Sequence, residues 1–201
     1  SMRGDRIASL NYALRTALPE LRAVAVDNPE VAVKIRILRF ASQAEWLGEA
    51  QDVGDFALSD LVAEGETHMG AALELLADTL TTAAMPGRQL PPVLILASDG
   101  LPTDDIDAGL RRFSAAELAS GAVRLGIAIG GDADLDILDR FIGDAAIRPL
   151  RANNASALVE HIRWATTAPV RAASSPTNAP DPLAPPASLS EPDTTSTEII
   201  W

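Results

Sequence analysis

The order of apolar and polar positions along the chain predicts strands that alternate with helices. Three segments rich in Val, Ile and Leu predict buried strands, at Val31–Phe40, Pro92–Ala97 and Val123–Ile129. The last two are nearly continuous apolar runs, which are typical of parallel strands covered on both faces. Shorter strands are expected at Glu45–Leu47, paired back against the first, and at Ala146–Leu150. The pattern therefore predicts an α/β fold with a doubly wound, mostly parallel sheet.

Apolar residues at helical spacing lie between these strands. They are Ile7, Leu10, Leu14, Leu18 and Leu21 in the first segment, Met69, Leu73, Leu76 and Leu80 in the second, and Ile106, Leu110 and Phe113 in the third. Two shorter helices are expected at Leu135–Ile142 and Ala155–Trp164. Proline removes a helical hydrogen bond, so the first helix should kink or restart at Pro19.

Composition divides the chain into one domain and a tail. The 201 residues are 47% hydrophobic, as in globular proteins, and residues 1–167 are expected to form the domain. Residues 168–201 are rich in Pro, Ala and Ser and bury too little apolar surface to fold, so we expect a disordered tail. Its last residues, Glu198–Trp201, are its most hydrophobic part, and a chance apolar terminus is the favoured interpretation.

Charge and cysteine content exclude several classes of function. The formal net charge of -12, without a cluster of Lys and Arg, argues against nucleic-acid partners and anionic membrane surfaces. The chain has no cysteine, which excludes disulfides and thiolate metal sites. No apolar run approaches the ~20 residues that span a bilayer. These features predict a cytoplasmic protein without a membrane segment.

Polar residues that follow apolar strands are the candidates for chemistry, because open parallel sheets bind ligands beyond the carboxyl ends of their strands. Asp99 directly follows a predicted strand and precedes a tight turn, whereas Thr103 or Asp104 is expected to cap the next helix. Thr67 opens a helix of small residues and by itself is more often a cap than a ligand. The third place is the polar turn that starts at Ser1.

Together these three segments resemble the von Willebrand factor A-type domain and its metal-ion-dependent adhesion site. That family holds Mg²⁺ with an Asp-x-Ser-x-Ser loop, a Thr and a further Asp, so the resemblance implies that Ser1, Thr67 and Asp99 are metal ligands. The chain is most similar to the bacterial tellurium-resistance TerY type. That similarity rests on residues 46–47, 71–76, 98–105 and 130–135.

The chain departs from this family at its start. The first, central strand is missing, together with the Asp and the first Ser of the metal loop. A single carboxylate and two hydroxyls make a weak cage for a cation that prefers six oxygens. We therefore expect binding of Mg²⁺, or of Mn²⁺ or Ca²⁺, to be weak or absent. Truncation or collapse of the gap explains the missing strand best. A tail strand from Ser196–Trp201 or a homodimer through strand complementation is the alternative.

The resemblance implies a protein-interaction module that is not an enzyme. A partner would offer an acidic residue to the metal site, in an adaptor role in tellurium or other chemical-stress resistance, alongside kinase and phosphatase partners. The alternatives are a metal-dependent hydrolase or phosphatase using Asp99 and Glu66, and a degenerate relative without metal dependence. The acidic stretch at residues 132–136 is read as a helix cap and a solvated turn, and neither His68 nor His161 is given a catalytic role.

Overall fold

The structure is a computed structural model that describes residues 2–29, 31–85 and 90–173. Its elements in chain order are α1 (Asp5–Val26), β1 (Lys34–Ile35), β2 (Leu38–Phe40), β3 (Ala44–Trp46), β4 (Gln51–Asp52), α2 (Met69–Thr79), β5 (Val93–Ser98), α3 (Ile106–Ser114), β6 (Val123–Ile129), α4 (Leu135–Ile142), β7 (Leu150–Ala152) and α5 (Ala155–Ala173). No helix among these residues is long and apolar enough to cross a membrane.

A parallel sheet with the strand order β5-β6-β7 forms the centre of the molecule. Helices α1 and α5 cover one face, and α2, α3 and α4 cover the other. The central strand β6 serves both faces because successive side chains point in opposite directions. Leu125 and Ile127 belong to the core under α1 and α5, whereas a Cβ at Gly126 would lie 3.2 Å from Leu138 of α4. This is the predicted doubly wound α/β arrangement.

Each face has its own apolar core. Phe113 of α3 and Phe141 of α4 stack with ring centroids 5.3 Å apart and are almost fully buried. On the other face Ala13 and Ala165 are fully buried where α1 packs against α5. Burying one large apolar side chain stabilises a fold by about 1.5–3 kcal/mol, so these contacts fix the helices that carry the polar loops.

The prediction of one buried strand over Val31–Phe40 is wrong. Two short strands lie there instead, and both pair antiparallel: β1 with β4, and β2 with β3. The apolar residues of this segment alternate with Lys34, Arg36 and Arg39. Alternation suits strands with one solvated face, and none of the described residues of the segment is fully buried. The expected pairing of a short strand near Glu45–Leu47 back against the first is confirmed.

One edge of β5 is unpaired within the described part of the chain. Val123 N–H donates to Pro92 C=O at 2.9 Å, which sets the register with β6. Backbone groups alternate between the two edges of a strand, so those of Val93, Ile95 and Ala97 point away from β6. No strand of residues 2–29, 31–85 or 90–173 pairs with that edge.

Several predicted boundaries differ from the structure. Helix α1 continues through Pro19 without a restart. Strand β7 begins at Leu150, where the predicted strand was to end. Helix α5 continues to Ala173, so the predicted boundary between residues 167 and 168 lies inside a helix. The remainder of the predicted tail, including Ser196–Trp201, lies outside the described residues.

Candidate functional site

Two polar loops and two helix starts meet at the carboxyl ends of β5 and β6. Residues 99–105 connect β5 to α3, and residues 130–134 connect β6 to α4. Because these strands are parallel neighbours, both loops leave the sheet at the same edge. The first turns of α1 and α2 contact these loops through hydrogen bonds. We call this region the carboxyl-end surface.

Arg6 joins three parts of the carboxyl-end surface. Its Nη1 lies 3.1 Å from Asp99 Oδ2, and its Nη2 lies 3.0 Å from Asp132 Oδ2. Asp99 is only 1% exposed, whereas the side chain of Asp132 is 75% exposed. A buried carboxylate needs a charged or hydrogen-bonding partner, and Arg6 is such a partner for Asp99. The guanidinium therefore ties the first turn of α1 to the ends of β5 and β6.

The surroundings of Arg6 keep it charged and leave it room. Burial lowers the pKa of Arg6, but its hydrogen bonds to Asp132 and Asp99 together with their charges outweigh this and raise the pKa above its usual value. Gly130 has φ +76, which favours glycine. A Cβ at Gly130 would also lie 3.2 Å from the guanidinium carbon of Arg6. The turn after β6 is thus shaped to let the guanidinium pass close to the backbone.

A second set of contacts joins the start of α2 to the loop after β5. Thr67 N–H donates to Thr103 Oγ1 at 3.0 Å, and Thr103 N–H donates back to Thr67 C=O at 2.9 Å. Asp104 accepts from Gly70 N–H at 2.9 Å and from Ala71 N–H at 2.8 Å. A carboxylate at this place satisfies the free donors of a helix start. Asp104 therefore caps α2 from a distant part of the chain.

These contacts correct the predicted caps. The residue before α2 is His68, which makes no side-chain cap bond, so Thr67 does not cap that helix. Helix α3 is capped by Asp105, which accepts from Ala108 N–H at 2.9 Å, and not by Thr103 or Asp104. Thr and Asp both cap helices well, so the local pattern does not distinguish Thr103, Asp104 and Asp105. Tertiary contacts determine which of them caps which helix. The expected cap in the acidic stretch before α4 is confirmed at Asp134.

Glycines allow α2 and α3 to approach closely beneath these loops. A Cβ at Gly70 would lie 2.4 Å from the carbonyl oxygen of Asp105, and a Cβ at Gly109 would lie 2.5 Å from that of Gly70. Both distances are shorter than a real Cβ tolerates. Small residues at the start of α2 thus serve the close packing that the sequence indicated, and they place Asp104 within reach of the helix.

The structure brings together only part of the predicted metal set. Ser1 lies outside the described residues. A hydrogen bond between Thr67 and Thr103 joins the loops that carry Thr67 and Asp99, and the guanidinium of Arg6 contacts Asp99 Oδ2. Within the described chain no group of three or more His, Cys, Asp or Glu side chains could hold a metal ion. A divalent ion at Asp99 would also be repelled by Arg6, so the residues present do not fit the predicted metal well.

The alternative catalytic pair has other partners. Glu66 is exposed and its Oε2 lies 2.8 Å from His68 Nε2. Asp99 is bound to Arg6 on the buried side of the carboxyl-end surface.

His161 lies on α5, is 3% exposed, and its Nδ1 has no hydrogen-bond partner among the described residues. Burial lowers the pKa of His161 to about 4.

Arg6 and Asp132 were not predicted as site residues. They lie 126 positions apart, so no local pattern connects them. A signal was nevertheless present, because two acidic loops that follow neighbouring strands require a compensating positive charge. Arg6 stands in the first turn of the helix that begins at the polar N-terminal turn, and it could have been proposed for that role.

Comparisons with known proteins show similarity in structure alone. No protein-family model matches the chain, and no curated protein matches it in sequence. The structure of von Willebrand factor type A from Catenulispora acidiphila is similar, with a TM-score of 0.60, 15% identity, and coverage of 82% of this chain and 38% of that chain. Proximal thread matrix protein 1 from the mussel byssus gives a TM-score of 0.53 at 14% identity, over 80% of this chain and 43% of that one.

The chain thus spans about two fifths of the length of these two solved chains. At such identities the similarity concerns the fold. The parallel sheet β5-β6-β7, with helices on both faces, agrees with it. The chain has the α/β fold of von Willebrand factor type A domains.

Proposed function

We propose that this chain is a non-catalytic protein-interaction module that binds a partner protein through the carboxyl-end surface. The observation that carries the proposal is Leu101, which follows the buried Asp99 and is 63% exposed. An exposed apolar side chain within the loop after β5 can supply the apolar contact that the core of a protein interface needs. The loops around it are fixed by Arg6 and by Thr103, so the surface is preorganised for binding.

The biological role we propose follows the resemblance seen in the sequence. An adaptor of the tellurium-resistance TerY type would recruit its partners, among them a kinase or a phosphatase, during tellurite or other chemical stress. The partner would offer an acidic residue to the metal site at Asp99. We propose that Mg²⁺ binding by Thr67, Asp99 and Ser1 is weak or absent in this chain.

The interaction surface is tested by two matched substitutions. Leu101→Ser removes the apolar side chain from the carboxyl-end surface. Val26→Ser removes an exposed apolar side chain from the last residue of α1. This residue lies about 30 Å along the helix from the first turn of α1, which contacts the carboxyl-end surface. Partners captured by the full chain are identified and purified, and their affinities for the three proteins are measured by calorimetry.

The proposal predicts that Leu101→Ser weakens binding of the identified partner about tenfold or more, as loss of a central contact does. Val26→Ser should bind as the unchanged chain does. Equal affinities of all three proteins would place the binding site elsewhere and refute the role of this surface.

The alternative function is an enzymatic one, a metal-dependent hydrolase that uses Asp99 and Glu66. In the described contacts Glu66 is bound to His68 and Asp99 to Arg6, so the two carboxylates are held by different partners. Phosphatase and esterase activities, measured with and without Mg²⁺, should equal those of an Asp99→Asn variant. Activity that requires Mg²⁺ and is lost in that variant would support the hydrolase.

We also propose that the open edge of β5 pairs with a second copy of this chain. The strand contains only apolar residues and one Ser, with no charged residue or proline to block pairing. Antiparallel pairing of two such edges around a twofold axis would join two three-stranded sheets into one. In this proposal the backbone groups of Val93, Ile95 and Ala97 would form the hydrogen bonds of the homodimer through strand complementation.

A further inference from the structure

We infer that Arg6 supplies, from within the chain, the positive charge that a metal ion would supply at Asp99, so that the carboxyl-end surface keeps its shape without metal. The inference deepens the proposed function and rests on it for its use in partner binding, but its test needs no partner. It concerns the described contacts among three side chains: Arg6, Asp99 and Asp132.

The first step is the charge of Asp99. Its carboxylate is almost completely shielded from water. An ionised carboxylate in such a place requires a cation or several hydrogen-bond donors. Arg6 Nη1 provides a charge-assisted hydrogen bond at 3.1 Å. The charge balance that a bound divalent ion would provide is therefore already met in part by the protein itself.

The second step is the geometry of the bridge. The guanidinium is planar and presents parallel donors, and here each terminal nitrogen contacts a different loop. One side chain thus fixes the loop after β5 relative to the loop after β6. In a metal-dependent surface an ion coordinated by several loops would have this function. Arg6 achieves the same connection with a covalently attached group that cannot dissociate.

The third step is the space for the side chain. Gly130 approaches the guanidinium so closely that a Cβ there would lie 3.2 Å from both Cζ and Nη2 of Arg6. The backbone after β6 is therefore fitted to an arginine at this position. A divalent ion beside Asp99 Oδ2 would have to displace this side chain or sit against its positive charge.

The first experiment titrates the full chain with Mn²⁺ and with Mg²⁺ by calorimetry, and measures its melting midpoint in EDTA and in each metal. We expect no heat of binding and no change of the midpoint. Binding of micromolar or tighter affinity that is lost in Asp99→Asn would overturn the inference.

The second experiment compares Arg6→Gln with Arg6→Lys. Arg6→Gln removes the guanidinium charge beside Asp99 and Asp132, so the melting midpoint in EDTA should fall by on the order of 5–10 °C, and Mn²⁺ should restore part of the loss. Arg6→Lys keeps the positive charge, so its melting midpoint should fall less and should not change when Mn²⁺ is added. If Arg6→Gln does not fold in EDTA, a folded Arg6→Lys whose melting midpoint is unchanged by Mn²⁺ still supports the inference.

Two results of the second experiment would overturn it. One is an Arg6→Gln variant as stable in EDTA as the unchanged chain. The other is an equal rise of the midpoint with Mn²⁺ in Arg6→Gln and in the unchanged chain. Either result concerns only the cation at Asp99, so the proposed interaction surface would still be tested independently by Leu101→Ser.

Discussion

At the scale of single residues, buried and half-buried polar side chains hold loops against the helices of this molecule. Asn11 of α1 donates to Leu61 C=O at 2.9 Å and accepts from Leu61 N–H at 2.8 Å. Arg22 of the same helix donates from Nε to Val53 C=O at 3.0 Å. Arg6 makes the third such connection, at the start of α1. Each of these side chains forms hydrogen bonds with backbone or carboxylate groups that would otherwise lack a partner. Leaving such a group without a hydrogen bond in the folded state costs about 1–3 kcal/mol of stability.

His161 differs from these residues because its buried Nδ1 lacks a partner in the described chain. Its pKa falls from 6.5 in the unfolded chain to about 4 in the folded one. Between these values the unfolded state binds a proton that the folded state does not. The contribution to stability is therefore fully present above pH 6.5 and is lost as the pH falls from 6.5 toward 4, by up to about 1.4 kcal/mol per pH unit.

Urea unfolding at a series of pH values checks this prediction. His161→Phe should remove most of the decline between pH 6.5 and 5, a range in which carboxyl groups contribute little. The prediction fails if His161→Phe and the unchanged chain lose stability in parallel over that range.

At the scale of elements, the packing of α2 against α3 sets the position of the carboxyl-end surface. The two helices touch through Gly70 and Gly109, and the loop between β5 and α3 reaches back to cap α2 with Asp104. A change in the helix contact should therefore alter the loops that carry Asp99 and Leu101. This link makes the surface dependent on residues that do not themselves belong to it.

Gly109→Ala tests the close approach of the two helices. Alanine favours a helix by up to about 1 kcal/mol over glycine, but its Cβ would lie 2.5 Å from the Gly70 carbonyl oxygen. We expect the clash to prevail and the free energy of unfolding to fall by about 1–3 kcal/mol. Gly121→Ala is the matched control, because a Cβ there meets nothing within 4 Å. Thermal unfolding that ranks the control below Gly109→Ala would contradict this explanation.

At the scale of the whole molecule, the sequence predicts those parts of the fold that local patterns determine. Strands β5 and β6 are continuous apolar runs and α4 is strongly amphipathic, so they were placed within a residue or two. The segment 31–40 was misread because its mixed apolar and basic residues fit both a long strand and two hairpin strands. The bridge from Arg6 to Asp132 could not be read from spacing, since the tertiary fold alone brings these residues together.

The open edge of β5 makes a prediction about assembly. If two copies pair through this edge, the molar mass measured by light scattering should rise toward that of a dimer as the concentration increases. Val93→Lys places a charge at the edge and should keep the chain monomeric. Val62→Lys, which changes another exposed valine, should dimerise as the unchanged chain does. A monomer at every concentration in the unchanged chain would refute pairing between copies.

The measurement that tests the central claim most directly is a double-mutant cycle on Arg6 and Asp99. Urea unfolding gives the free energies of the unchanged chain, Arg6→Gln, Asp99→Asn and the double variant. If the Arg6 guanidinium neutralises Asp99 and holds the carboxyl-end surface together, the coupling free energy should be at least about 1.5 kcal/mol. Additive effects, with a coupling below about 0.5 kcal/mol, would show that the two side chains act independently and would contradict this account.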